Sequence, residues 1–213
     1  NSLYKITKMC GIFTLLNNEE CYTSEEINQS FMKGQNRGPE FSELKEIDNN
    51  LLFGFHRLAI NGLNPNANQP MTIDGITIIC NGEIYNYKQL FRYINIIPET
   101  DSDCEIIIHL YKHHGIEYTL QLLDGVFAFI LYDKQKELLY VARDPYGVRP
   151  LYMMSSNRHN NSLPIISFAS ELKVVSSLFN KIKMLNKEED NANITQFKPG
   201  HYITFKKFNN TFN

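Results

Sequence analysis

No apolar stretch in this sequence approaches the ~18–20 residues needed to span a bilayer; the longest, residues 126–131, is the length of a strand. Residues 1–8 carry two lysines but no apolar core, so they do not read as a signal peptide. Charge of one sign is equally scarce. A formal net charge of -2, with the basic residues dispersed, gives no electrostatic footing for nucleic acid or an anionic membrane. Cysteine is sparse: Cys10, Cys21, Cys80 and Cys104 form no CxxC pair and no metal-like spacing with histidine. A disulfide framework is not expected in a chain of this size and apolar content, which points to a reducing, cytoplasmic address and no metal. No repeat and no linker-like stretch divides the chain, so one domain is expected.

What is present suits a buried core. The chain has 213 residues, 43% of them hydrophobic, with 14 Phe and 12 Tyr. Strands are predicted over residues 10–16, 51–55, 76–80, 126–132, 138–142, 151–154, 165–169 and 202–205. Helices are predicted over residues 25–33, 87–94, 116–123 and 171–178, and another opens at the capping-box pattern Ser102-x-x-Glu105. The asparagine-rich residues 186–193 read as a surface loop. Runs of strands with helices in separate pairs indicate a layered α+β domain rather than a βαβ succession.

Four short segments carry candidate chemistry, and each also has an ordinary reading. Cys10, in Met9-Cys10-Gly11-Ile12, is either a small core residue or a nucleophile. Removing Met9 would place a thiol and an α-amine on one residue, and an amine of pKa roughly 7.7–8.0 can take the thiol proton near neutral pH. Arg57, where the apolar pattern of residues 52–60 breaks, is either one half of an ion pair or a fork for a carboxylate. His56 beside it is read as structural. Asn81-Gly82 after the strand at 76–80 is either a turn or a pair of donors for an oxyanion. Asp103 is either favoured by a helix dipole or a partner for an ammonium group. The segment from Arg143 to Leu151 reads mainly as a tightly specified turn with buried pairing, and His113-His114 as a solvated face.

In their order and spacing these motifs are far more specific than any one of them. The chain resembles the N-terminal glutaminase domain of asparagine synthetases, members of the N-terminal-nucleophile amidotransferases. The resemblance is carried by residues 9–13, 37–39, 53–60, 81–86, 102–110, 123–131, 143–152, 170–173 and 199–202. Asn81-Gly82-Glu83-Ile84-Tyr85-Asn86 is similar to the asparagine-synthetase branch, and Phe53 to Ala59 with Tyr146 to Leu151 is most similar to the eukaryotic form.

The resemblance implies a four-layer αββα sandwich of two antiparallel sheets between helix layers. It implies Cys10 as nucleophile with its freed amine as base, and Asn81 with Gly82 as the oxyanion hole. Arg57 would hold the glutamine carboxylate and Glu83 and Asp103 its amino group, with Leu58 and Ile60 also at the glutamine site. Glutamine would be hydrolysed to glutamate, and the ammonia would pass to a synthetase domain on the same longer chain or a separate protein. No cofactor is expected in this domain; ATP and Mg would serve only that synthetase part, for which no Ser-Gly-Gly-x-Asp-type loop is present here. The expected division is a leader or pro-segment at 1–8, the amidotransferase domain at 9–206 and the start of a tail or linker at 207–213.

The sequence departs from the family pattern at Asn36, where histidine is common, at Asp101, where a small residue is common, and in the residues preceding Met9. Two rivals remain at this point: the glutaminase domain of another amidotransferase, and a non-catalytic domain of the same shape that binds glutamine or a partner.

Overall fold

The structure is a computed structural model, and it describes residues 9–58, 65–156, 163–185 and 192–213. In chain order the elements are β1 (Gly11–Leu16), α1 (Ser24–Met32), β2 (Phe41–Asp48), β3 (Leu51–Arg57), β4 (Met71–Ile73), β5 (Ile76–Ile84), α2 (Tyr87–Ile94) and α3 (Glu105–Leu122). They continue with β6 (Gly125–Asp133), β7 (Leu138–Arg143), β8 (Tyr152–Ser156), β9 (Ile165–Ala169), α4 (Leu172–Leu185), β10 (Ala192–Gln196), β11 (Tyr202–Phe208) and β12 (Thr211–Phe212). Short 3-10 turns cover Gln35–Arg37 and Pro65–Ala67.

The strands form two six-stranded sheets, ordered β10-β8-β9-β1-β3-β2 and β12-β11-β7-β6-β5-β4, with antiparallel neighbours throughout. Because side chains alternate along a strand, each sheet has two apolar faces to bury. In β1, Ile12 and Leu16 pack with Phe53 and Phe55 of β3 and Ile79 of β5 between the sheets. Phe13 and Leu15, of the opposite parity, pack with Ile27 and Phe31 of α1 and Val174, Val175 and Leu178 of α4. On the far side of the second sheet, Ile78 and Ile84 meet Leu90 and Phe91 of α2 and Ile106, Ile107 and Leu110 of α3. Helices, sheet, sheet, helices: this is the αββα sandwich expected from the sequence.

The same alternation positions the chemistry. Arg57 shares the parity of Phe53 and Phe55, and Asn81 that of Ile79, so both belong to faces that look between the sheets. Cys10 precedes β1 and packs against the same inter-sheet cluster.

Several expectations need correction. The sequence reading ended β5 at residue 80, but the strand runs on through Asn81 and Gly82 to Ile84, because β6 pairs with it along its whole length: Asn81 opposes Ala128 and Gly82 opposes Phe127. Gly82 is required there by close approach, since a Cβ would lie 2.7 Å from the Val126 carbonyl oxygen. β2 and β4 were not anticipated, and α4 extends beyond residue 178. The loop expected over 186–193 falls largely outside the described residues, and its last part opens β10.

Residues 207–213, expected as the start of a tail, instead finish β11 and form β12. Phe212 is fully buried, its backbone bonded in both directions to the Asn17 side chain at 2.8 Å, and Lys207 pairs with Asp48 at 2.7 Å. The separation of α3 into two helical stretches does occur: Gly115 interrupts it with φ 77°, a left-handed value that a side chain would strain.

The Ser102-x-x-Glu105 pattern does not form a capping box. Glu105 is fully buried and turns back to accept the N–H groups of Glu99 at 2.8 Å and Thr100 at 2.6 Å, while pairing with His109 at 3.0 Å. That carboxylate ties down the segment leading to Asp103.

Candidate active site

The end of the inter-sheet space opens into a cavity of about 70 Å³. Cys10, Arg57, Leu58, Asn81, Gly82, Glu83 and Asp103 all line it, joined by Met9, Gln69 and Arg149 among others. The sequence-predicted site residues therefore converge from β1, β3, β5 and the approach to α3. Ile60, the remaining one, lies outside the described residues.

The Cys10 thiol is half-buried at the junction of β1 and the end of β3. It faces the Leu58 backbone, with the N–H at 3.4 Å and the carbonyl at 3.5 Å. Arg37, on the 3-10 turn after α1, donates through Nε to the Cys10 carbonyl at 2.8 Å. Burial pushes the Cys10 thiol up from its ordinary value, and the Leu58 N–H and the charges of Arg57 and Arg37 only partly offset it. In this form the thiol holds its proton at neutral pH.

Two donors stand on β5. The Asn81 side chain is 1% exposed, yet its Nδ2 has no hydrogen-bond partner among the described residues. A buried amide N–H left without a partner costs about 1–3 kcal/mol, which makes it a candidate for an acceptor that arrives with a substrate. The second donor follows from ladder geometry. Cys80 N–H donates to Gln69 Oε1 at 2.5 Å and Ile84 N–H to Asp103 Oδ2 at 2.6 Å, both away from β6. N–H directions alternate along an antiparallel strand, so the Gly82 N–H between them points to the same open edge. β4 pairs with β5 only as far as Ile78, which leaves that edge open.

The charged groups are arranged around these donors. Arg57 is buried and one arm of its fork donates to Asn68 Oδ1. Asp103 is buried, and that burial pushes its carboxyl up, with the Ile84 N–H offsetting part of the rise, Glu83 adding to it and Arg149 opposing it. Glu83 stands exposed at the mouth. A pocket with two guanidinium groups, two acids, a half-buried thiol and amide donors offers complementary charges for a zwitterionic amino acid carrying an amide.

A family model described as a glutamine amidotransferase domain matches residues 9–213. The chain belongs to this family. The amidotransferase domain is 37% identical over 203 residues to the asparagine synthetase [glutamine-hydrolyzing] of Gallus gallus and 35% identical over 200 residues to that of Homo sapiens. In both cases 91% of this chain is covered, and the chain spans about a third of the relative's length (33%). Its fold matches the solved glutamine phosphoribosylpyrophosphate amidotransferase from B. subtilis with a TM-score of 0.70, over 96% of this chain and 48% of that one, at 19% identity. A second match, the allosteric regulatory enzyme of purine biosynthesis, has a TM-score of 0.69 at 19% identity and covers 95% of this chain and 48% of that one.

Other residues lining the cavity escaped the sequence reading. Gln69 had no signal, since its role is to occupy one N–H of β5 from a distant loop. Arg149 lay within a segment read as architecture, and that reading holds for its neighbours. Asp144 is fully buried and accepts the N–H groups of Tyr146, Val148 and Arg149 at 3.0–3.1 Å. Arg143 donates to the carbonyls of Arg149 at 2.7 Å, Gly147 at 2.6 Å and Phe197 at 2.5 Å. The two buried charges are thus each satisfied by backbone. His56 is structural as expected: it stacks on Phe31 at 3.9 Å and bridges Ser42 Oγ at 2.7 Å and the Phe31 carbonyl at 2.9 Å.

Proposed function

We propose that this amidotransferase domain hydrolyses glutamine to glutamate and ammonia through a cysteinyl thioester, and that the ammonia serves asparagine synthesis. The observation that carries the reading is the buried, unpartnered Asn81 amide in the same cavity as the Cys10 thiol. Cys10 Sγ attacks the side-chain amide carbon of glutamine, and the oxygen of the tetrahedral intermediate takes the Asn81 Nδ2–H and Gly82 N–H. Ammonia leaves with the proton that the Cys10 amine took from the thiol, and water then cleaves the thioester to give glutamate. Arg57 holds the α-carboxylate, Glu83 and Asp103 hold the ammonium, and Leu58 and Ile60 complete the glutamine site.

The asparagine destination is supported by the asparagine synthetases among the relatives and by the Asn81 to Asn86 motif. The ammonia would be consumed by a synthetase domain, on the same longer chain or separate, and ATP and Mg would act there and not here. The proposed address is cytoplasmic; no described helix is long and apolar enough to cross a membrane.

Asn81→Ala tests the carrying observation. Removing one oxyanion donor is expected to lower kcat by about 10²–10³-fold with little change in KM. A kcat within about two-fold of the unaltered chain would sink the assignment. Arg57 tests the substrate's orientation. Arg57→Ala is expected to raise the glutamine KM by roughly two orders of magnitude, for loss of a charge-assisted clamp worth ~2–3 kcal/mol. Arg57→Lys restores the charge but not the fork and is expected to rescue only in part. An unchanged KM in Arg57→Ala would make Arg57 structural.

A further inference from the structure

The stretch between α2 and α3 delivers Asp103 to the cavity, yet it has no helix or strand of its own. Its backbone N–H groups need acceptors that no regular ladder supplies. Glu105, the first residue of α3, provides them from a fully buried position. Its Oε1 accepts the Glu99 N–H at 2.8 Å and His109 Nε2–H at 3.0 Å. Its Oε2 accepts the Thr100 N–H and the Thr100 hydroxyl, both at 2.6 Å. Burial pushes the carboxyl up, but His109, Thr100 and the two N–H groups outweigh it and hold it below its ordinary value. Glu105 is thus an ion that only accepts, matched by four donors.

The tie continues to Asp103 bond by bond. Because the Thr100 hydroxyl gives its proton to Glu105, its oxygen accepts the Ser102 N–H at 3.1 Å, and Ser102 Oγ accepts the Cys104 N–H at 3.3 Å. Asp103 stands between those two residues and accepts the Ile84 N–H of β5 at 2.6 Å. The carboxylate is itself held from behind, where the His109 ring meets Phe91 of α2 edge-on at 5.7 Å. Glu105 is not among the described residues that line the cavity, so it reaches a substrate only through the segment it ties.

We propose that Glu105 is a positioning residue for substrate selection: it sets the Asp103 carboxylate to meet the α-ammonium of glutamine. Through that tie the site distinguishes an amino acid from the same amide without an amino group. The proposal rests on the glutamine reading above, in which Asp103 takes the ammonium. An amide in place of the Glu105 carboxylate keeps the shape but has only one accepting oxygen. Whichever way it is turned, its NH2 faces the N–H of Glu99 or of Thr100, and two donors repel. The segment then shifts, and Asp103 shifts with it.

The test is calorimetric binding of glutamine and of glutaramate, which has the same chain and amide but no amino group. It uses the chain beginning at residue 10 with Cys10→Ala, so that neither ligand is consumed. Glu105→Gln is expected to weaken glutamine about 10–100-fold, the scale of a charge-assisted hydrogen bond, and glutaramate by less than about two-fold. Combined with Asp103→Asn it is expected to cost less than about two-fold more, because its effect runs through Asp103. Equal weakening of both ligands, or of neither, overturns the proposal, as does full additivity with Asp103→Asn. Thr100→Val removes one bond to the carboxylate and serves if Glu105→Gln does not fold. It is expected to weaken glutamine about three-fold and to leave glutaramate unchanged, and an equal change in both counts against Glu105. A domain with Glu105 intact that binds both ligands alike overturns the Asp103 assignment, and the proposal falls with it. Loss of selection in the variant alone is the supporting result, so failure of the reading and failure of the proposal are told apart.

Discussion

A chain that begins at Cys10 is expected to hydrolyse glutamine about 10²–10⁴-fold faster than the same chain with residues 1–9 attached, the range typical of a positioned general base. With Met9 in place the Cys10 nitrogen is a peptide amide, which takes no proton near neutral pH. The thiol is then left to its own acidity, and burial holds that above the ordinary value. Even an unperturbed thiol is only a few per cent thiolate at pH 7. Sterics act in the same direction. Met9 itself lines the cavity and engages Arg149, so it takes up room in the proposed glutamine site. The measurement is glutamate release by both versions, with N-terminal sequencing before and after the assay. Full activity from a chain whose first nine residues demonstrably remain would refute the amine as base.

The second large effect is the loss of the thiol. Cys10→Ala in the chain beginning at residue 10 is expected to lower glutamate release by about 10⁴–10⁶-fold, the scale on which nucleophile deletions act. The fold is expected to persist. The side chain is half-buried, its hydrogen bonds to Leu58 are long at 3.4 and 3.5 Å, and alanine occupies less of the same space. Cys80 and Cys104 line the same cavity but are buried, and a hydrogen bond with the Cys80 thiol, followed by burial, pushes the Cys104 thiol well up, so neither is placed to substitute. Calorimetric glutamine binding by the alanine variant separates catalysis from mere binding. If the unaltered chain binds glutamine no differently and releases no glutamate, the domain is a binding module.

Much of the site was legible before the fold. Arg57 stands out because it breaks an apolar pattern with a charge costly to bury, and Cys10, Asn81 and Asp103 through motifs whose order and spacing carry the family resemblance. The strands and most helices followed from periodicity, which is local. What misled was also local. Asn81-Gly82 has the composition of a turn, and only the pairing with β6 carries it through as strand. Ser102-x-x-Glu105 has the composition of a cap, and only the burial of Glu105 against residues 99–100 draws that carboxylate away. Residues 207–213 look like the beginning of a tail, and only their pairing in β11 and β12, with Phe212 buried against Asn17, makes them core.

By itself the sequence determined which residue types were available, their order, the strand and helix periods, and through alternation which side chains share a face. Whether those faces meet was decided by the tertiary structure. Stacking one sheet on the other brings Cys10, Arg57 and Asn81 to one opening although they are far apart in the chain. The early end of β4 leaves an open edge on β5, and Gln69 and Asp103 occupy the N–H groups on either side of Gly82. The turn after β7 delivers Arg149 to the same place. Hydrogen-bond direction, burial and the unpartnered Asn81 amide are relations between distant segments, and local periodicity does not encode them.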